Sequence, residues 1–284
     1  MRRWLIGLFC ALLSGAALAA GPGGVRKRIQ ASMLLTGTIV VAPDGSVRSY
    51  LIDKAEKLPS AVTGLIAKNI PQWKFEPTLL AGKPVAAKAK MSLRIVAKPL
   101  GDDDYSIGIS GTQFGQNVPG ESITYKDQVA PSYPPRAAQA RVSGTVYLVL
   151  RVGRQGLVQE AVAEQVNLAV VASDQELERW RKVLARSALV AARKWTFNLP
   201  TSGGHVNDQY WVARVPVVYG LTEVGEPRVD DYGKWQAYVP GPRQLVPWID
   251  DPRLLSGSAD ALPDGGIHPL EKDGLHLITP PGGA

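Results

Sequence analysis

The stretch GTVYLVLRVGRQGLVQEAV, residues 144–162, decides the architecture. It opens on Gly-Thr, runs as an apolar strand, breaks at Gln155-Gly156 and resumes, which is the pattern of a β-hairpin. The same grammar stands earlier in GTIVVAPDGSVRSYLI, residues 37–52, where Pro43, Asp44 and Gly45 sit where a tight turn needs them. Each hairpin is followed by an amphipathic segment, a Trp-x-Phe (Trp73 and Phe75; Trp195 and Phe197), a proline loop and a third strand. The chain thus contains a repeat of one supersecondary unit. The second copy is longer between its second strand and its helix, where a loop tolerates insertion.

In the second copy Leu177, Trp180, Leu184, Ala188, Ala191 and Trp195 recur at three- and four-residue spacing and predict one apolar helical stripe. Ser173 with Glu176 forms a capping box, so this helix starts at Asp174. In the first copy Ser60 is placed to cap a helix with a stripe of Val62, Leu65, Ile66 and Ile70. Gly64 weakens that helix and Pro71 ends it. The predicted fold class is α+β: two tandem β-β-α-β modules, each a small antiparallel sheet covered by one helix. Their expected bounds are 29–98 and 129–221. Residues 99–128, rich in Gly, Asp and Ser, read as a linker. Residues 222–284 hold 9 Gly and 9 Pro, the composition of an irregular arm. Trp235, Tyr238 and Trp248 favour an arm whose aromatics dock on a domain over a disordered tail.

The N-terminus, MRRWLIGLFCALLSGAALAA (1–20), has a basic start, an apolar centre and Ala17-Leu18-Ala19 as a cleavage signal. It reads as a secretory signal peptide, the alternative being an uncleaved inner-membrane anchor. The one cysteine, Cys10, lies inside it, so the mature chain is expected to have no disulfide or thiolate site. The expected location is the periplasm.

The run PSYPPRAAQARVSGTVYLVLRVGRQGLV (131–158), a helix leading into Trp195-x-Phe197, and a last strand RVPVVYGL (214–221) resemble the C-terminal domain of the TonB family. Pro131, Tyr133, Pro134, Ala137, Gly144, Val146, Gly156, Ala188, Trp195, Phe197 and Pro216 carry the likeness. Residues 29–98 look like a diverged relative without the Tyr-Pro opening. The resemblance implies a periplasmic β-β-α-β module coupling an inner-membrane motor to outer-membrane transporters. It also implies a final strand with an open edge, to which a short transporter peptide adds as a further strand. Here that edge is Tyr210 to Val218, with Tyr210, Val212, Arg214, Pro216 and Val218 as candidate contacts, assisted by Tyr133 and Pro134. Pro216 cannot donate to a ladder and suits an edge. The same proline also fits an edge blunted only against aggregation. A second copy is another partner the edge allows, which would give a homodimer.

Three departures argue against the energised transducer. Only Gly21 to Arg28 stand where the family has a long Pro-rich spacer, and eight extended residues reach at most about 29 Å. Residues 1–28 contain Ser14 but no histidine for the motor. The family's glutamine before Pro-x-Tyr-Pro is Ala130, with Gln128 two places off.

No nucleophile elbow, Walker loop, zincin helix or dinucleotide fingerprint occurs. His268 and His276, with Glu271 and Asp273 between them, lack ligand spacing, so no metal or other cofactor is expected. Asp102-Asp103-Asp104 reads as a solvated face. The net charge of +7 divides into +9 for residues 21–100, +1 for 101–221 and −5 for 222–284, with the remainder in the leader. Lys88, Lys90, Arg94 and Lys98 fall on one face of a regular strand, with Lys83 nearby. They are candidates for an anionic envelope surface, or else edge lysines that discourage pairing. Nucleic acid is not an expected partner. The function expected is a non-enzymatic envelope adaptor that binds a partner by strand addition. The runner-up is an anchored TonB-type energy transducer, and a distant third is an enzyme of unrecognised chemistry.

Overall fold

Asp44 and Gly45 turn the first hairpin: the Asp44 carboxylate accepts the Ser46 N–H at 3.0 Å, and Gly45 has φ +78°. In the computed structural model, which describes residues 30–101, 104–115, 119–221, 230–270 and 274–282, this turn joins β1 (Gln30–Val41) to β2 (Val47–Ile52). Helix α1 (Ser60–Asn69) follows. Its N-cap is Pro59 with no side-chain cap, so Ser60 is the first helical residue and not the predicted cap. A 3-10 turn at Ile70–Gln72 takes over at Pro71. After a short ribbon, β3 (Leu79–Leu80) with β4 (Lys83–Pro84), comes the long β5 (Ala87–Gly101). It pairs with β1 on one side and with β6 (Asp104–Gly115) on the other, giving an antiparallel order β2-β1-β5-β6. Met33, Leu35, Ile39, Met91, Leu93 and Ile95 face α1 and bury Trp73 and Phe75 with them. Most of residues 99–128, predicted as a linker, is therefore structural: it supplies β6, and β7 (Thr124–Asp127) further on.

The second sheet follows a five-residue helix, α2 (Pro135–Gln139). Strands β8 (Gly144–Gly153) and β9 (Val158–Leu168) form the hairpin read from the sequence. Helix α3 (Asp174–Ala192) starts at the predicted cap, with Ser173 and Glu176 reciprocally bonded. Ser173→Ala should lower stability by about 1 kcal/mol, read as a shifted urea midpoint with unchanged slope. Strand β10 (Thr196–Asn198) pairs with β7, and β11 (Tyr210–Tyr219) pairs with β8 along its whole length. Leu148, Leu150, Leu184, Ala188, Trp195 and Val215 form the core beneath α3.

One contact recurs in both sheets. A Cβ on Gly45 would lie 2.1 Å from the Phe75 carbonyl oxygen, and one on Gly156 (φ +71°) 2.2 Å from that of Phe197. The Phe75 and Phe197 amides each donate at 2.8 Å to the carbonyl of their glycine. Each hairpin turn is thus stitched to the segment after its helix, which explains glycine at both turns.

The C-terminal residues run over both sheets. Tyr232 hydrogen-bonds the backbone of Thr36, and β12 (Gln236–Tyr238) extends β1. Val239 and Leu168 exchange backbone bonds, which takes the chain to β9. Ala259 to Leu262 are buried where the helix-free faces of the two sheets meet. Strand β13 (His268–Pro269) joins β11, and Trp73 Nε1 donates at 3.0 Å to the Pro281 carbonyl. Trp235 packs on the first core and Trp248 on a cluster of Val149, Val212, Val246 and Leu270. The arm is docked, as its aromatics suggested. Its Asp230 also bridges Lys54 and Lys57 at 3.0 and 2.7 Å. Among the described residues no helix is long and apolar enough to cross a membrane. The leader, with Cys10 and Ser14, lies outside the described residues, as do Asp102, Asp103, Glu271 and Asp273.

Candidate functional site

Strand β11 alternates. Trp211, Ala213, Val215, Val217 and Tyr219 belong to the core beneath α3, which turns Val212, Arg214, Pro216 and Val218 to the other face. One edge of the strand is consumed by β8. On the other, Arg214 pairs with His268, Ala213 with Pro269, and the Leu270 N–H donates to the Val212 carbonyl at 2.9 Å. That bond places the backbone groups of Val212, Arg214, Pro216 and Val218 on the outer side, where Pro216 has no donor. A groove of about 470 Å³ runs beside the first half of the strand, lined by Ile123, Tyr210, Trp211, Val212, Leu254 and Leu270 among others.

The side chains predicted to meet a partner divide. Tyr210 and Val218 are exposed, at 46% and 39%. Val212 and Pro216 are buried, and Arg214 is fully enclosed. Its Nε donates at 2.7 Å and its Nη2 at 3.0 Å to the two oxygens of Glu164, whose side chain is equally inaccessible. Arg243 donates to the same carboxylate at 2.7 Å from the solvent side. Burial pulls the Arg214 pKa down, and the Glu164 carboxylate opposes that pull. Arg214 is thus an internal ion-pair residue and not a partner contact. Tyr133 and Pro134 stand apart from the open edge. The Tyr133 hydroxyl donates at 2.6 Å to the Val142 carbonyl and its ring meets Tyr219 edge-on, while Pro134 is the N-cap of α2. Tyr133 braces the end of β11.

The basic strand face needs the same correction. Lys88, Lys90 and Lys98 are exposed. Arg94, between them, is buried: it donates to the Asp260 carbonyl at 2.9 and 2.6 Å and lies over the Tyr238 ring. The Asp260 carboxylate accepts from the Tyr238 hydroxyl and, at 3.0 Å, from Asn167. Tyr147, 3.4 Å from Arg94 Nη2, has its hydroxyl pKa pushed up to about 12 by burial. Sequence reasoning missed this polar interface. Asn167 and Tyr147 sit on alternate-face positions that read as solvent-facing, Glu164 is the extra residue of a β9 bulge between Ala163 and Gln165, and nothing local marks Asp260 as their cover.

His268 sits on β13 with its Nε2 3.1 Å from the Pro263 carbonyl. Burial, opposed by that carbonyl and reinforced by Arg214 and Lys90, holds its pKa below 6.5. Because the unfolded chain takes up this proton more readily, the docked arm is fully stable above pH 6.5 and loses stability as pH falls from there through the folded pKa. The protection factor of the Leu270 amide, which removes the intrinsic slowing of exchange at lower pH, should therefore fall between about pH 7.5 and 5.5. His268→Gln should flatten that dependence.

The family described as Gram-negative bacterial TonB protein C-terminal matches residues 129–221, the segment that holds β8, β9, α3 and β11. Residues 129–221 are a TonB C-terminal domain. Protein TonB of Xanthomonas campestris pv. campestris strain B100 is 35% identical over 99 residues, 35% of this chain and 38% of that protein. Protein TonB of strain ATCC 33913 gives the same figures. The chain therefore spans under two fifths of the relatives' length, and the likeness is to the TonB C-terminal domain alone. No solved structure matches the chain.

Proposed function

We propose that this is a periplasmic, non-enzymatic TonB-type envelope protein whose TonB C-terminal domain captures an extended segment of a partner at the β11 edge. An outer-membrane transporter is the partner class, because the relatives carry the name Protein TonB. Residues 29–98 are read as a second, diverged TonB-C-like module, on the strength of the repeated glycine–phenylalanine stitch. The observation that carries the function is the position of β11: the last strand of the domain, with backbone groups turned outward and held only by a two-residue pairing. Strand addition draws affinity from main-chain bonds, and the exposed Tyr210 and Val218 flank the accepting stretch. Lys88, Lys90 and Lys98 form a secondary, salt-sensitive contact with anionic envelope material.

A photo-cross-linker at Val218, in whole cells, tests this. A transporter adduct at Val218 and none at the more exposed Val190 on α3 supports it; equal labelling at both overturns it. The relatives' name also favours a second reading, an inner-membrane anchored energy transducer. The N-terminal mass of the protein from the periplasm separates them. A chain starting near Gly21 overturns the anchored form.

A further inference from the structure

The β11 edge carries a segment of the same chain, and the way that segment is seated describes what the edge accepts. Ile267 is buried in the core beneath α3, and Leu270 is buried on the opposite face with Val149, Val212 and Val246. Between them His268 and Pro269 supply the backbone pairing. Gly265, at φ +77° with open space around its Cβ position, and Gly266 precede the segment and give it a hinge. Alternation turns the nitrogen of Pro269 away from β11, so no further strand can pair there. The seat is therefore short, hinged and closed on its outer side.

Resting on the strand-addition reading above, we infer that Ile267–Leu270 is a built-in ligand of the β11 edge. The partner this edge accepts is then an extended segment with two apolar side chains three residues apart, one for each face of the sheet. A partner able to pair beyond two residues gains main-chain bonds that the arm lacks. The tether supplies the arm at an effective concentration near millimolar, which a partner must exceed to bind. The edge is thus kept from indiscriminate pairing, and only a segment that fills both apolar seats displaces the arm.

The test uses the full chain with Cys10→Ser. Ala213→Cys and Pro269→Cys are placed at a non-hydrogen-bonded pair, where the Cβ atoms approach closely enough for a disulfide. The probe is a fluorescent synthetic peptide of sequence DGGIHPL, residues 264–270, with a control bearing serine at the two apolar positions. The reduced protein should bind the probe at least tenfold more tightly than the oxidised one. The release variant Ile267→Ser with Leu270→Ser should bind it at least tenfold more tightly than the parent, and the serine peptide should not bind. Equal binding by oxidised and reduced forms, or no binding by a folded release variant, would overturn the inference. Failure of the cysteines to oxidise would contradict the pairing itself. Capture of DGGIHPL by the release variant, with no transporter adduct at Val218, would remove the proposed function and leave the built-in ligand standing.

Discussion

Arg214→Ala should lower the unfolding free energy by about 3–5 kcal/mol, because it leaves the Glu164 carboxylate buried without its main cation. Among the described residues only Arg243 then remains beside that carboxylate, and its own side chain is 42% exposed. Glu164→Ala should cost a similar amount by stranding Arg214. The double change Arg214→Leu with Glu164→Leu should recover most of the loss, since desolvation offsets much of what a buried pair contributes. Urea denaturation of the four proteins gives the coupling directly. A small loss on Arg214→Ala would mean that water reaches this interface and that Arg214 is free to meet a partner after all.

Trp195→Ala should cost about 3–5 kcal/mol as well, through a cavity at the centre of the second core and a lost bond from Nε1 to the Val129 carbonyl at 2.7 Å. Its counterpart in the first sheet, Trp73, makes the same kind of bond to Pro281. Trp73→Ala should therefore open the first core and also free the chain's last residues. Amide exchange after residue 274 separates the two substitutions: accelerated in Trp73→Ala, unchanged in Trp195→Ala at equal global stability.

Features set by neighbours in sequence were readable in advance. The hairpins at Gly45 and Gly156, the α3 stripe and its Ser173–Glu176 cap depend on residues within a few positions of one another. Strand β6 was not readable, because Gly108, Gly111 and Gly115 depress strand propensity. At Gly111 the structure supplies a reason: a Cβ there would sit 2.6 Å from Ser258, so the arm's approach needs glycine. Arg94 and Arg214 failed for a related cause. Each stands at an alternating position that reads as solvent-facing, and what buries each comes from far along the chain: Asp260 over Arg94, and Glu164 with Leu255 around Arg214. The candidate edge was placed on Tyr210 to Val218, which the structure shows as strand β11; the pairing of that strand with residues of the arm follows from a topology that no local pattern reveals.

The bonds of the arm also set the order in which the molecule can finish. Tyr232 closes on Thr36 across 196 positions and Pro281 caps Trp73 across 208. Contacts of such separation form late and slowly, after the loop entropy between their ends has been overcome. The polar interface between the sheets has Tyr238 and Asp260 at its centre, so a variant lacking residues 230–270 is expected to stay open there and to be protease-sensitive.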